Sequence, residues 1–321
     1  MSAAPESRPN ATLEGRAAAR VDQAVVPPLV RAVHRPLSVA DLLSLTKPRL
    51  SSLVLCTCAG GMWLAPGVLS PTRWLLTLLG TAGTVGAANA LNCYLERDID
   101  RVMARTRNRP LPAGRMEPSV ALAFAVALAV LSLPVLALGS NLLTTGLGLL
   151  ALVTYVGVYT PLKLYSDAAM LVGAVPGALP PLMGWTAVTG RLDGPGLVLF
   201  AVLFAWQLPH FLAIALFRKT EYRAAGLLTV PLRLGDDASR WWMVATTAAL
   251  VALTLALVPL HVAGSFYLAV AALLGAGFLG VQGWGALKRL GYGWARKSFF
   301  FSLVYLAGLF AALFLDASSR H

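Results

Sequence analysis

Apolar residues in this chain come in long, nearly unbroken blocks, not in the short alternating patterns of a water-soluble fold. A polar stretch covers residues 1–37, and nine apolar blocks follow, at about 50–66, 73–95, 118–138, 141–160, 168–189, 195–217, 241–260, 264–286 and 298–315. Most approach the ~20 residues a helix needs to cross the hydrocarbon core of a bilayer. Hydrocarbon offers no water to a backbone N–H or C=O, so each block is expected to be a helix that satisfies its own peptide groups. The pattern predicts an all-α polytopic membrane bundle of nine transmembrane helices. Residues 38–46 predict a short amphipathic helix lying at the interface, starting near Ser38 or Asp41. Residues 1–37 show no sustained apolar period and no secretory signal, and are read as a disordered cytoplasmic tail. Residues 38–317 form the single membrane domain. Pro176, Pro180 and Pro181 in the fifth block call for neighbouring helices, or a lined cavity, to satisfy the backbone groups they free.

Composition supports this reading: 57% of the residues are hydrophobic and 12% are charged. The net charge of +12 would fit a nucleic-acid binder, but its distribution argues otherwise. With nine crossings and the N-terminus inside, 23 of the 26 Lys and Arg residues fall on the inner side, and only Arg73, Arg191 and Arg320 lie outside. That asymmetry is the signature of membrane topology. It predicts a multi-pass protein of the inner (plasma) membrane with a cytoplasmic N-terminus and an outside C-terminus, and no nucleic-acid partner. Cys56, Cys58 and Cys93 all lie in or at the end of apolar blocks, which excludes a disulfide framework, and Cys-x-Cys alone lacks the ligands for zinc.

The candidate chemistry lies in two inner loops. The first, 92–115, reads NCYLERDIDRVMARTRNRPLPAGR. If the preceding helix continues, Asn92, Glu96 and Asp100 fall at i, i+4 and i+8 and share one face, while Asp98 points away. Two carboxylates on one face repel unless a cation sits between them. Amide and carboxylate oxygens suit a hard cation such as Mg²⁺, which shares its ligands with substrate phosphates. Nearby arginines, Arg105 and Arg109 among them, carry forked donors for phosphate oxygens. The stretch therefore predicts a Mg²⁺–diphosphate site at the mouth of a membrane helix. The second loop begins Arg218-Lys219-Thr220-Glu221-Tyr222-Arg223. Just upstream, Trp206-Gln207-Leu208-Pro209-His210 places an amide and an imidazole at membrane depth, where polar groups need partners and are functional candidates. In a helix Trp206 and His210 line one wall. His210 is left open between a ligand role and a bond to a neighbouring helix.

These motifs resemble a known family. Asn92-x3-Glu96-x3-Asp100, followed by Arg105-Thr106-Arg107-Asn108-Arg109-Pro110, resembles the first acidic motif of the UbiA-type intramembrane prenyltransferases. Glu96-Arg97-Asp98-Ile99-Asp100, Gly177–Trp185 and Trp206-Gln207-x-Pro209-His210-Phe211 look most like its heme-modifying branch, the protoheme IX farnesyltransferases. Cys93 stands where quinone-type relatives carry Asp, only Glu221 stands near their second acidic motif, Leu208 replaces a Pro, and Leu164 replaces a basic residue. The resemblance implies a bundle around a central cavity and transfer of farnesyl from farnesyl diphosphate to a vinyl carbon of heme b, with water added, to give heme O. It implies Mg²⁺ on Asn92, Glu96 and Asp100. Arg105 and Arg109, with Lys47 and Lys163, would take the diphosphate. Trp206, Gln207, His210, Arg218, Lys219 and Glu221 would bind substrate, His210 near the heme. A downstream heme-modifying enzyme is an implied partner. Two alternatives are a prenyltransferase for a quinone-precursor ring and a membrane transporter. Clustering of the charges at one face favours an enzyme over a transporter, whose charges sit near mid-membrane.

Overall fold

The computed structural model describes residues 38–318, so the tail expected over residues 1–37 lies outside the described residues. Among the described residues there is no strand. The short helix α1 (Val39–Leu45) precedes α2 (Pro48–Leu64), α3 (Pro71–Leu95), a short α4 (Arg97–Val102), α5 (Pro118–Gly139) and α6 (Leu142–Val153). A π-helical segment, Thr154–Tyr159, joins α6 to α7 (Thr160–Leu162). Next come α8 (Ala169–Thr189), α9 (Gly194–Phe217) and two short helices, α10 (Lys219–Ala224) and α11 (Val230–Arg233). Three long helices end the chain: α12 (Gly235–Leu255), α13 (Ser265–Leu287) and α14 (Tyr292–Ser318).

Each of the nine apolar blocks has its helix, but among the described residues seven helices are long and apolar enough to count as crossings by length and composition. The two that fall short are α2, with 17 residues, and α12, which opens on Asp236 and Asp237. Both α12 and α14 begin upstream of their apolar blocks, at Gly235 and Tyr292. For α12 the physical reason is plain. Its two first-turn aspartates sit at the positive end of the helix dipole, and Asp237 accepts from Arg240 Nη1 at 2.6 Å.

Small residues set how closely the spans approach. Within a bilayer, helices gain from van der Waals packing and interhelical hydrogen bonds, so glycines at crossings matter more than added apolar bulk. α3 packs along α5, and α8 packs against α2, α6 and α9. At the α2–α8 crossing the fit is reciprocal: a Cβ on Gly184 would overlap the Cys58 carbonyl, and one on Gly61 would overlap that of Pro181. α8 is the most enclosed span, 72% buried over its apolar window against 17–50% for the other six, which puts its three prolines inside the bundle. A second packing centre joins α9, α12, α13 and α14 around Trp185, Tyr267, Phe278 and Tyr305. Its hydroxyls are paired: Tyr267 donates to the Thr254 carbonyl at 3.1 Å, and Tyr305 meets Thr254 Oγ1 at 3.1 Å.

The close crossing yields a direct test. Gly184→Ala places a methyl group against backbone that cannot yield, and is expected to cost about 1–3 kcal/mol. Gly146→Ala, where a Cβ meets nothing within 4 Å, is expected to be neutral or mildly stabilising. Thermal unfolding in detergent compares the two, and equal melting temperatures would contradict the packing account.

Candidate active site

The end of α3 and the short α4 behave as one interrupted helix. Glu96 has φ −92° and ψ 3° between them, yet its N–H still donates to the Asn92 carbonyl at 2.9 Å. The Asp100 N–H donates to the Glu96 carbonyl at 2.8 Å. The i, i+4, i+8 register therefore survives the break. Asn92, Glu96 and Asp100 are all buried, at 2%, 7% and 2% exposure. Asp98 turns outward, its side chain 66% exposed beside Arg101.

Buried carboxylates need partners, and these come from three other segments. Asp100 Oδ2 accepts from Arg109 Nη1 at 2.7 Å, and the Thr106 hydroxyl donates to the Asp100 carbonyl at 2.9 Å. Glu96 Oε1 accepts from both Lys163 Nζ and Asn92 Nδ2. Asn92 Oδ1 accepts from Lys47 Nζ at 2.8 Å. Three cations, Lys47, Arg109 and Lys163, thus face two carboxylates, and the cluster is left one positive charge in excess.

Lys47 reaches this position through an unusual backbone. A residue before proline is disfavoured in the right-handed helical region, and Lys47 precedes Pro48. It adopts the left-handed region instead, at φ 50° and ψ 63°, a conformation that costs a non-glycine residue about 1–3 kcal/mol. Asn89 holds the turn by donating to the Thr46 carbonyl at 3.3 Å and to Ser51 Oγ at 3.4 Å. Burial pushes the Lys47 ammonium below its ordinary pKa, and Arg109 pushes the same way, while Cys93, Glu96 and Asp100 pull it back up. An arriving anion would relieve that strain on its charge.

The π-helical segment supplies the opposite wall. It delivers Tyr155 and Tyr159 as a stacked pair, ring centroids 5.3 Å apart. Thr160 Oγ1 donates to the Tyr155 carbonyl at 2.8 Å and accepts from Asn92 Nδ2 at 3.2 Å. The wide turn of a π-helix is a frequent feature of functional sites. Tyr159 lies within electrostatic reach of Glu96, Arg105 and Tyr222, which links the two inner loops. Burial raises the Tyr222 pKa, against Arg105 and Arg218, which lower it.

The remaining expected residues divide. Arg218 pairs with Glu221 Oε2 at 2.7 Å, while Glu221 Oε1 is buried without a partner. Lys219 is committed to Asp236 at 2.6 Å and ties α10 to α12. Trp206, Gln207 and His210 lie on α9, anchored to its neighbours. Trp206 Nε1 donates to the Ser302 carbonyl at 2.7 Å, and Gln207 Nε2 donates to the Ala174 carbonyl at 3.0 Å. His210 Nδ1 meets Ser302 Oγ at 2.7 Å, and its ring lies against Trp206 and Phe299 with centroids 4.6 and 4.7 Å away. The one wall expected of Trp206 and His210 is present. Among the described residues, no hydrogen bond or ion pair joins it to the carboxylate cluster.

The donor set fits a hard divalent cation. Among the described residues no three His, Cys, Asp or Glu side chains gather as an all-protein metal cage. Two buried carboxylates and an amide oxygen on one helical face are hard oxygen donors of the kind Mg²⁺ prefers, in a set too small to coordinate it without waters and phosphate oxygens. Asn89, Thr160, Tyr155 and Tyr159 were given no role by the sequence, and Tyr222 was read only as part of the second loop's motif. Of these, only Asn89 carried a signal, a second amide in an apolar block one turn before Asn92.

The network makes a stability prediction. Thr160→Val leaves the Asn92 amide without its Thr160 acceptor, while the Tyr155 carbonyl keeps the backbone N–H of residue 160, and is expected to cost about 1–3 kcal/mol. Asp98→Asn removes only exposed pairs and should change stability by less than about 1 kcal/mol. Chemical denaturation in detergent reads both, and an Asp98→Asn loss as large as that of Thr160→Val would contradict the assignment of buried and exposed faces.

Comparison with known proteins identifies the family. Residues 53–304 match the model of the UbiA prenyltransferase family. A protoheme IX farnesyltransferase of Myxococcus xanthus is 64% identical over 290 residues, covering 90% of this chain and 99% of that protein. One from Anaeromyxobacter is 57% identical over 277 residues, covering 86% and 93%. Among solved structures, one described as digeranylgeranylglyceryl phosphate synthase superposes with a TM-score of 0.76 at 18% identity, covering 87% of this chain and 98% of that one. A UbiA homologue from Archaeoglobus fulgidus bound to DMAPP and Mg²⁺ superposes with a TM-score of 0.59 at 17% identity, covering 85% and 99%. The chain belongs to the UbiA prenyltransferase family and, within it, to the protoheme IX farnesyltransferases.

Proposed function

We propose that this membrane enzyme transfers the farnesyl group of farnesyl diphosphate to a vinyl group of heme b, with addition of water, giving heme O. The observation that carries the prenyl-transfer step is the buried cluster of Lys47, Asn92, Glu96, Asp100, Arg109 and Lys163 at the end of α3. The acceptor rests on the relatives' name and on the Trp206–His210 wall.

In this reading Lys47, Lys163 and Arg109, with Arg105 nearby, bind the diphosphate, and their charge lowers the cost of breaking the allylic C–O bond. Asn92, Glu96 and Asp100 would hold Mg²⁺, which would supply further positive charge to the leaving diphosphate. Glu221, with one buried oxygen unpartnered, stands in for the missing second acidic motif. The stacked Tyr155 and Tyr159 present aromatic faces to the allylic cation, which cation–π attraction favours. The vinyl terminal carbon bonds to the farnesyl C1, and water adds to the adjacent carbon with loss of a proton. The apolar bundle keeps other water away from the cation. At the acceptor, Ser302 Oγ donates to the Phe299 carbonyl, so His210 Nδ1 carries the ring proton toward Ser302 and Nε2 is left as a lone pair suited to heme iron; a bond to a propionate would need that nitrogen protonated. Arg218 and Lys219, held by Glu221 and Asp236, shape the loop above the site. The product would pass to a downstream heme-modifying enzyme in the same bilayer.

The multi-pass chain is proposed to sit in the inner (plasma) membrane, N-terminus cytoplasmic and C-terminus outside, as the distribution of basic residues supports.

Purified protein supplied with farnesyl diphosphate, heme b and Mg²⁺ tests the reaction. Glu96→Gln and Asp100→Asn are each expected to lower diphosphate release by about 100-fold or more, and removal of Mg²⁺ by chelation should do the same. Asp98→Asn should stay within about fivefold of wild type. Equal losses in all three variants would overturn the helical-face account. Orientation is tested separately by single cysteines in a background lacking Cys56. Val68→Cys, in a loop residue 97% exposed, should label from outside intact cells, and Asp98→Cys only after permeabilisation. Labelling of Asp98→Cys in intact cells would reverse the topology.

A further inference from the structure

The last two helices, α13 and α14, form a hairpin whose connecting end carries Lys288, Arg289, Arg296 and Lys297. Between the two helices lies an open groove of about 800 Å³. That volume is in the range of small-molecule sites, and none of its lining residues belongs to the site described above. We propose that this groove binds one anionic phospholipid, with its headgroup phosphate at Lys297 and an acyl chain laid along Gly277 and Gly280.

The groove is built by packing. A Cβ on Gly285 would overlap the Trp294 indole, so the missing side chain lets Trp294 lie down against α13. Trp294 Nε1 then donates to the Val281 carbonyl at 2.9 Å, which fixes the ring as one wall. Phe301 forms the other wall, close to Gly277, while a Cβ on Gly280 would meet nothing within 4 Å. The floor is therefore bare helix backbone, shaped for a hydrocarbon chain.

Charge selects the occupant. Among the described residues, Arg296 and Lys297 have no acidic partner, and Arg289 has only a 4.0 Å contact with Asp237. Trp284 is 59% exposed, with Lys288 over its ring at 5.4 Å. Exposed tryptophan beside lysine marks the headgroup level of a bilayer. Basic pockets between transmembrane helices at that level take anionic headgroups. A second copy of this chain docked through the same face about a two-fold axis would set these cations against their own kind, which disfavours a dimer there.

Native mass spectrometry of the full chain, released from detergent, tests the proposal with phosphatidylglycerol and phosphatidylcholine of matched chains. Wild type should hold a first phosphatidylglycerol at least about fivefold more tightly than phosphatidylcholine, the preference a single interfacial cation provides. Lys297→Gln should remove that preference and leave phosphatidylcholine binding unchanged. Gly280→Leu should fill the groove and weaken the first site for both lipids. Lys297 is exposed, so its variant decides the question even if Gly280→Leu fails to fold. Equal binding of the two lipids by wild type, or an undiminished preference in Lys297→Gln, would overturn the proposal. So would displacement of the lipid by inorganic phosphate, which would make this a simple anion site. A dimer mass abolished by Gly280→Leu would give the groove to a second copy and overturn it likewise.

Discussion

Two carboxylates held out of water, Glu96 and Asp100, are the constraint on which the rest of this structure depends. Burying a charge is unfavourable unless it is paired and hydrogen-bonded. The chain meets that demand with cations from separate segments: Arg109 from the following loop, Lys163 from beyond the π-helical turn, and Lys47, through Asn92, from before α2. Each pairing therefore also fixes where a loop lies. Removing one carboxylate would leave a cation unpaired and loosen a segment distant in sequence. The same surplus of positive charge that balances the acids is what a diphosphate would meet on arrival.

The bundle serves this cluster by bringing its helices close. Gly61 and Gly184 let α2 approach α8, and Asn89 and Ser51 hold the turn before α2 in which Lys47 is set. At the other side, Gly177 leaves room for the Gln207 side chain, so α9 is bonded to α8 through a polar side chain within the membrane. The Trp206–His210 wall and Ser302 extend the chain of contacts to α14. A rigid frame of this kind suits chemistry in which a reactive cation must meet one partner and not water.

The sequence made much of this legible. Continuous apolar blocks marked every long helix, and the four-residue spacing of Asn92, Glu96 and Asp100 correctly placed them on one face with Asp98 outside. What it could not reveal were features made by backbone geometry. Nothing in Thr154–Tyr159 announces a π-helical turn, so Tyr155, Tyr159 and Thr160 read as ordinary span residues. The left-handed turn at Lys47 follows from Pro48 only once Asn89 is known to hold it. The early start of α12 was hidden because Asp236 and Asp237 look like loop residues until they are seen in the first turn of a helix. Lys219, read as a substrate ligand, is committed to Asp236, a pairing seventeen positions apart that periodicity cannot forecast.

The central claim is that the carboxylate cluster and the Trp206–His210 wall together convert heme b into its farnesylated, hydrated product. The most direct measurement is reversed-phase chromatography of the hemes extracted from membranes that express this chain in a host unable to make heme O. The account predicts a new, later-eluting heme whose mass exceeds that of heme b by one farnesyl group and one water. Heme b alone, together with a farnesylated quinone precursor such as prenylated 4-hydroxybenzoate in the same membranes, would contradict it.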